Sequence, residues 1–169
     1  HQRLQTPWYF RRSPSRTSIF DYIGVPQHQK SMNHGAFDGG LLNDNEKQLR
    51  HFYQQVMNFS LEHSSMTREY RDLHQINNLS DSVYAFLRFD HKELTIVAEN
   101  FSQHATESIH LKVPNDVIQK LKIADDNYLL DEHIECVHQQ VFTVENSIGN
   151  FNLELKPIVS LVWVLSLNQ

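Results

Sequence analysis

The sequence is short of cysteine, of basic residues and of long apolar runs, and each shortage excludes something. Its single cysteine, Cys136, rules out an internal disulfide. A formal net charge of −5 at pH 7 argues against nucleic acid or an anionic membrane surface as a partner, because phosphate binding requires a basic surface. The longest apolar run, Ile158–Leu167, contains two serines and is too short to cross a bilayer.

Sequence motifs for common catalytic or cofactor chemistry are also missing. The chain has no Gly-x-Ser-x-Gly elbow, no phosphate-binding glycine loop and no dinucleotide fingerprint. The spacing of His133, Cys136 and His138 could bind zinc, but with 11 histidines close pairs are expected by chance. Scattered polar positions are therefore the favoured interpretation. We predict no catalytic residue, no metal ligand and no cofactor in this chain.

Two acidic pairs, Asp125-Asp126 and Asp131-Glu132, do not change that prediction. Glycoside hydrolysis uses two carboxylates that rigid elements hold across the sugar. These carboxylates are neighbours near a predicted turn, so we interpret them as solvated turn residues, with a weak calcium contact as the alternative.

The two tryptophans lie in different contexts. Trp163 stands in an apolar run and is predicted to be core. Trp8 and its neighbour Tyr9 lie in an irregular segment and are the candidates for stacking on a sugar ring. That segment, residues 1–42, carries three of the five prolines and four of the five glycines, which break regular elements. Its many large apolar side chains need a surface to lie on.

The clearest helix signal covers Asn43–Leu61. Asn43 and Glu46 have the spacing of a capping box. An apolar stripe follows at the i, i+3, i+4, i+7, i+8 positions; its members are Leu49, Phe52, Tyr53, Val56 and Met57.

From Thr67 onward the pattern is that of β-structure. Val83–Phe89 and Leu94–Glu99 alternate around the polar turn Asp90–Lys92 and predict a hairpin with a turn looser than two residues. Further strands are predicted at 69–74, 108–113, 128–130, 140–145, 150–156 and 158–167, and a short helix begins with Asn115-Asp116 as its cap. The last strand is apolar on both faces, so we expect it to be covered on both sides. With 169 residues, 40% of them hydrophobic, the chain can form an antiparallel β-sandwich.

Three stretches, in this order, resemble the C-terminal end of α-amylase-family enzymes, glycoside hydrolase family 13. SRTSIFDYIGVP (15–26) resembles the segment after the last barrel strand, and FDGGLLNDNEKQLRHFY (37–53) resembles the last barrel helix with its approach. Residues 83–102 and 150–167 resemble the C-terminal β-domain. There the family has a strand that ends in Asn-Phe-Ser, here Asn100-Phe101-Ser102, and a final Leu-x-Pro strand, here Leu155-Lys156-Pro157.

The resemblance implies a fragment of a larger enzyme. Residues 1–65 would be the end of a (β/α)8 barrel, and residues 66–169 a Greek-key β-sandwich. The parent would be a glycosidase or transglycosylase acting on α-glucan, and the missing barrel would be the partner that this part stabilises. The family's catalytic carboxylates lie on earlier barrel strands, which nothing here matches, so no catalytic residue is carried over and the chain alone should be inactive.

Two other readings of the sequence remain open. The sandwich could be a carbohydrate-binding module, or a structural or interaction domain that does not bind sugar. If the chain is a fragment, we expect an apolar patch made by part of Trp8–Phe10, Phe20 or the helix stripe, left bare or buried in a crystal or dimer contact. A dimer that buries the helix stripe and does not bind glycan would favour the interaction domain instead. The sequence does not indicate a cellular compartment.

Overall fold

The computed structural model describes residues 30–135 and 139–167, and the fold it shows is mainly β. The chain divides into two compact units, residues 1–53 and 54–169. The helices are α1 (Asp44–Glu62), α2 (His74–Asn77) and α3 (Asn115–Leu121), and short 3-10 turns cover Asn33–Gly35 and Ser64–Thr67. The strands are β1 (Glu69–Asp72), β2 (Val83–Phe89), β3 (Glu93–Asn100), β4 (Glu107–Val113), β5 (Asp126–Glu132), β6 (Gln140–Glu145), β7 (Ile148–Leu155) and β8 (Val159–Ser166). Within the described ranges, no helix is long and apolar enough to span a membrane.

The eight strands form one curled antiparallel sheet in the order β1-β2-β3-β8-β5-β6-β7-β4. Strand β5 joins the two halves, because it pairs with β6 through residues 126–130 and with β8 through Asp131 and Glu132. Neighbours that are distant in sequence, such as β3 with β8, give the Greek-key type of order. The predicted antiparallel β-sandwich class is confirmed.

The hairpin of β2 and β3 lies at the centre of one half of the sheet. Its register runs from Val83 opposite Asn100 to Phe89 opposite Leu94. The predicted looser turn is confirmed: Asp90 donates its N–H to the Glu93 carbonyl over 3.0 Å, and its side chain accepts the Lys92 N–H over 2.8 Å. An aspartate that bonds the backbone two residues on fixes such a turn without the Asn-Gly pair of a two-residue loop.

The core lies between the two halves of the sheet. Leu87 and Ile96 from one half, and Phe142 and Phe151 from the other, are fully buried. Trp163 is 2% exposed, and its ring meets that of Phe151 edge to face with centroids 5.0 Å apart, so its predicted place in the core is confirmed. All residues from Leu161 to Leu165 are buried, which confirms that β8 is covered on both faces.

Two local predictions were wrong. The first strand ends at Asp72, and His74–Asn77 forms a helical turn instead of continuing it, because the Asp72 carboxylate accepts the His74 N–H over 2.6 Å. Helix α3 is preceded by an extended Pro114 and has no side-chain cap, and Asn115 is its first residue. An extended proline is well suited to the position before a helix. Pro114 therefore occupies the N-cap position, and Asn115 lies within the first turn of the helix.

Candidate functional site

Helix α1 begins at the predicted capping box. The Asn43 side chain accepts the Glu46 N–H over 2.9 Å, and the Glu46 carboxylate accepts the Asn43 N–H over 2.9 Å. Lys30 lies 3.2 Å from the same carboxylate. These reciprocal bonds satisfy two of the donors that a helix leaves unpaired at its N-terminus, so the helix predicted from Asn43 to Leu61 is confirmed within one residue at each end.

The second half of helix α1 exposes apolar side chains along one face. Val56 is 39% exposed, Met57 62% and Leu61 83%, and their spacing places them on one side of a helix. We call these three residues the bare helix face. Tyr53, one turn earlier in the other compact unit, is 59% exposed. Of the predicted helix stripe, Tyr53, Val56 and Met57 are therefore exposed, whereas Leu61 was not predicted as part of it.

The opposite face of this half of helix α1 packs on the β-sandwich. Phe59 is only 7% exposed, and its ring stacks on that of His63 with centroids 4.2 Å apart. The His63 Nδ1 lies 3.0 Å from a carboxylate oxygen of Glu93 on β3. The other oxygen of Glu93 accepts the Ser65 N–H over 2.9 Å, and the hydroxyls of Ser65 and Thr95 are 2.8 Å apart. Hydrogen bonds thus tie the end of α1 to β3.

The electrostatics of this junction are set by Glu93, His63 and His133. Burial of Glu93 opposes its ionisation, but hydrogen bonds from Ser65 and His63 outweigh burial and hold the pKa of Glu93 below its ordinary value. His133, in the bend after β5, lies edge-on to His63 with ring centroids 5.1 Å apart. Burial and then the neighbouring His63 lower the pKa of His133, against smaller opposing effects of nearby carboxylates. The junction therefore favours an ionised carboxylate beside a neutral His133.

A second polar contact joins the two motifs that carry the family resemblance. Asn100 is 1% exposed, and its Nδ2 donates to the carbonyls of Ala105, Leu155 and Lys156 over 2.9, 3.0 and 3.1 Å. Its Oδ1 accepts the Ser102 N–H over 2.9 Å. The Asn-Phe-Ser strand end is thus bonded directly to the Leu-x-Pro strand end, and the buried Asn100 has a structural role.

A row of aromatic side chains lies across β1 and β2. The ring of Phe86 lies 5.7 Å from those of Tyr70 and Tyr84, tilted by 39° and 40°. The Tyr70 and Tyr84 hydroxyls are 2.5 Å apart, and the Arg88 guanidinium lies 5.1 Å over the Tyr70 ring. The hydrogen bond to Tyr84 and burial together raise the pKa of Tyr70 to about 12. The rings pack on one another, as cross-strand aromatic pairs do, and are not coplanar.

Among the described residues, the acidic candidates from the sequence form hydrogen bonds that hold turns and strand ends. Asp125 accepts the N–H groups of Asn146 and Ser147 over 2.8 and 3.0 Å. Glu132, 7% exposed, accepts the N–H groups of Ile134 and Val162, each over 2.9 Å. Each of these carboxylates therefore holds a turn or strand end.

The remaining acidic candidates also bond to nearby groups. Asp126 accepts the N–H of Asn127 over 2.8 Å, and Asp131 accepts the side-chain amide of Gln139 over 2.8 Å. In the part of the chain that the structure describes, no three His, Cys, Asp or Glu side chains are placed to hold a metal ion.

Six residues singled out in the sequence lie outside the described residues, as does the stretch 15–26 that carries part of the family resemblance. The six are Trp8, Tyr9, Phe10, Phe20, Cys136 and His138. The sugar-stacking prediction for Trp8 and Tyr9 stays a prediction. Sequence reasoning did not find the contact between His63 and Glu93, because 30 residues separate them and neither belongs to a recognisable motif.

Comparisons with known proteins rest on structure alone. No protein-family model matches the sequence, and no curated protein sequence matches it. An α-amylase from Anoxybacillus is similar in structure, with a TM-score of 0.52 and 14% identity over 80% of this chain and 26% of that chain. A variant of AmyP bound to maltotriose gives a TM-score of 0.53 at 15% identity, covering 76% of this chain and 22% of that one.

A glucanotransferase shows the same relation. The cyclomaltodextrin glucanotransferase CldA, described as having a three-domain ABC distribution, gives a TM-score of 0.55 at 14% identity over 86% of this chain and 29% of its own. This chain thus spans between 22% and 29% of the three enzymes. Identity this low shows the fold alone: the chain has the fold of the C-terminal β-domain part of α-amylase-type glycoside hydrolases.

Proposed function

We propose that this chain is the non-catalytic C-terminal part of a glycosidase or transglycosylase that acts on α-glucan, and that it stabilises the catalytic barrel of its parent. In this proposal residues 1–65 complete the barrel and residues 66–169 form the β-domain that follows it. The bare helix face is the observation that carries the proposal. A barrel helix needs an apolar face toward the barrel strands, and Val56, Met57 and Leu61 supply one that the described structure leaves exposed.

The energetics favour a covered helix face over an open one. Burying apolar surface is worth roughly 25 cal/mol per Å², so covering three large side chains contributes several kcal/mol. Phe59 fixes the helix on the sandwich from the other side. The sandwich would therefore hold the last barrel helix in place, while the barrel covers its remaining apolar face.

The deciding experiment uses the coding sequence that precedes this chain in its natural gene. The proposal predicts a (β/α)8 barrel with three acidic residues at strand ends, and cleavage or transfer of α-glucan by the full product. The chain of 169 residues alone should show neither activity. An upstream sequence without a barrel, or a full product inactive on α-glucan, would refute the proposal.

The aromatic row on β1 and β2 is the one feature that favours a carbohydrate-binding module instead. Sugar rings stack on exposed aromatic faces, and Tyr70 is 46% exposed. The rings are tilted by about 40° to one another and Arg88 lies over Tyr70, so a flat platform is not formed and the first proposal is preferred. Titration with a maltooligosaccharide, followed by NMR shifts of Tyr70 and Tyr84, separates the two.

A further inference from the structure

The segment before helix α1, residues 33–43, holds an exposed phenylalanine on an unusual backbone; we call this segment the entry loop. Phe37 is 64% exposed and has a φ of 55°, in the left-handed region that a bulky residue rarely adopts. Asn33 and His34 also have positive φ values, of 42° and 56°. Strained backbone of this kind persists only where surrounding contacts impose it, and it clusters at ligand-binding and active sites.

Hydrogen bonds fix the backbone on both sides of Phe37. Its own N–H donates to the Met32 carbonyl over 2.9 Å. The Asp38 Oδ1 accepts the side-chain amide of Asn33 over 2.7 Å and the Gly40 N–H over 2.8 Å. These two bonds lower the pKa of Asp38, so its carboxylate is ionised at neutral pH and the bonds are charge-assisted. The entry loop therefore holds the Phe37 ring in place without covering it.

The location of the entry loop in the parent enzyme follows from the proposed function, on which this inference rests. If helix α1 is the last helix of a (β/α)8 barrel, the residues just before it end the loop that connects the last barrel strand to that helix. Loops from strand to helix lie at the C-terminal face of such a barrel, where the active site is built. Helix α1 begins at Asp44, so Phe37 belongs to this catalytic face.

We propose that Phe37 stacks on a glucose ring of the α-glucan bound to the parent enzyme, and so forms a substrate subsite at the rim of the catalytic face. The faces of a sugar ring carry C–H groups, which pack on an aromatic ring as other apolar surface does. His34 and Asp38 are also exposed in the entry loop, and an imidazole and a carboxylate are suitable hydrogen-bond partners for sugar hydroxyls. A ligand site combines apolar surface with a few polar groups, and the entry loop supplies both.

Steady-state kinetics of the full product of the gene, with maltoheptaose as substrate, test this subsite. Phe37→Leu keeps an apolar side chain but removes the aromatic face. We expect kcat/KM to fall about tenfold, which is the change that a stacking contact of ordinary strength gives. The loss should come mainly through a higher KM, as for a contact made equally in the bound substrate and the transition state. The Tm should not change, because the ring is not part of a packed core.

Two further variants are the controls. Phe37→Tyr keeps the aromatic face and should retain the wild-type kcat/KM. Phe101→Leu makes the same change at a phenylalanine that is 61% exposed in the other compact unit, and it should leave kcat/KM unchanged.

The possible results separate this subsite from the proposed function. If Phe37→Leu has the wild-type kcat/KM while the wild-type product cleaves or transfers α-glucan, the subsite is refuted and the proposed function stands. A Phe37→Leu product that does not fold, or that has a lower Tm with unchanged kcat/KM, shows that the ring packs on the barrel, and this also refutes the subsite. A wild-type product without activity on α-glucan refutes the proposed function, and the subsite with it.

Discussion

Replacing Asn100 tests the hydrogen bonds that join the end of strand β3 to the end of strand β7. Asn100→Ala removes a buried amide that serves three carbonyls and one N–H. Losing about two net hydrogen bonds costs roughly 1 kcal/mol each, and the buried Leu155 carbonyl left without this donor adds about 1–3 kcal/mol. We therefore expect the free energy of unfolding to fall by about 3–5 kcal/mol, measured by urea denaturation with the fluorescence of the buried Trp163 as probe.

The matched control is Asn127→Ala. Asn127 is exposed and its Oδ1 accepts the Thr143 hydroxyl over 2.7 Å, so the same truncation should cost less than about 0.5 kcal/mol. If Asn100→Ala and Asn127→Ala differ by less than about 1 kcal/mol, the reasoning on Asn100 is wrong.

Asn100→Asp adds a test of charge at the same place. A carboxylate there would face three carbonyl oxygens, so its pKa should be raised above the ordinary value for aspartate in the folded state. A raised carboxyl pKa means that the folded state binds the proton more readily than the unfolded state. The deficit in stability relative to wild type should therefore be largest at pH 7 and should shrink as the pH falls to 4. A deficit that does not change with pH would contradict this.

Three further predictions concern the core and the backbone. Ile96→Ala or Leu153→Ala should each lower the free energy of unfolding by roughly 2–5 kcal/mol, because their side chains are 0% and 6% exposed; neutral results in chemical denaturation would count against the sandwich core. Gly149→Ala should cost about 1–3 kcal/mol, since its Cβ would lie 2.4 Å from Phe142 and 2.9 Å from Val113, and an unchanged midpoint would exclude that crowding. Ile158→Gly should stabilise by about 1 kcal/mol in thermal denaturation, because Ile158 is 66% exposed and has a φ of 51°, which a β-branched residue rarely adopts; a lower Tm would contradict it.

Local patterns made much of the fold predictable. The capping box at Asn43 and Glu46 gave the start of helix α1, because both partners lie within one turn. Strict alternation gave β2 and β7, because mainly one face of each strand is buried. Strand β3 was also found from its alternation, although both of its faces are buried from Leu94 to Ala98. The apolar residues on both faces of β8 predicted that both of its faces are covered, but not that it lies between β3 and β5.

What the sequence left open depends on contacts between distant residues. His63 is hydrogen-bonded to Glu93, 30 residues away in the sequence, and Asn100 donates to the Leu155 carbonyl, 55 residues away. Neither contact produces a periodic pattern in the sequence. Asn100-Phe101-Ser102 also matches the glycosylation pattern, yet Asn100 is buried and its amide nitrogen is fully engaged. Only the packing of the strands shows that this asparagine is structural.

The change Met57→Glu, made both in this chain and in the full product of its gene, tests most directly whether the bare helix face belongs against a barrel. Met57 is 62% exposed here, so in the isolated chain the free energy of unfolding should change by less than about 0.5 kcal/mol. In the full product the charge would be buried, so the free energy of unfolding should fall by more than about 2 kcal/mol and the Tm should also fall. Leu129→Glu, at a β5 side chain 65% exposed, is the control and should be neutral in both. If Met57→Glu is as neutral in the full product as in the isolated chain, the bare helix face does not pack on a barrel.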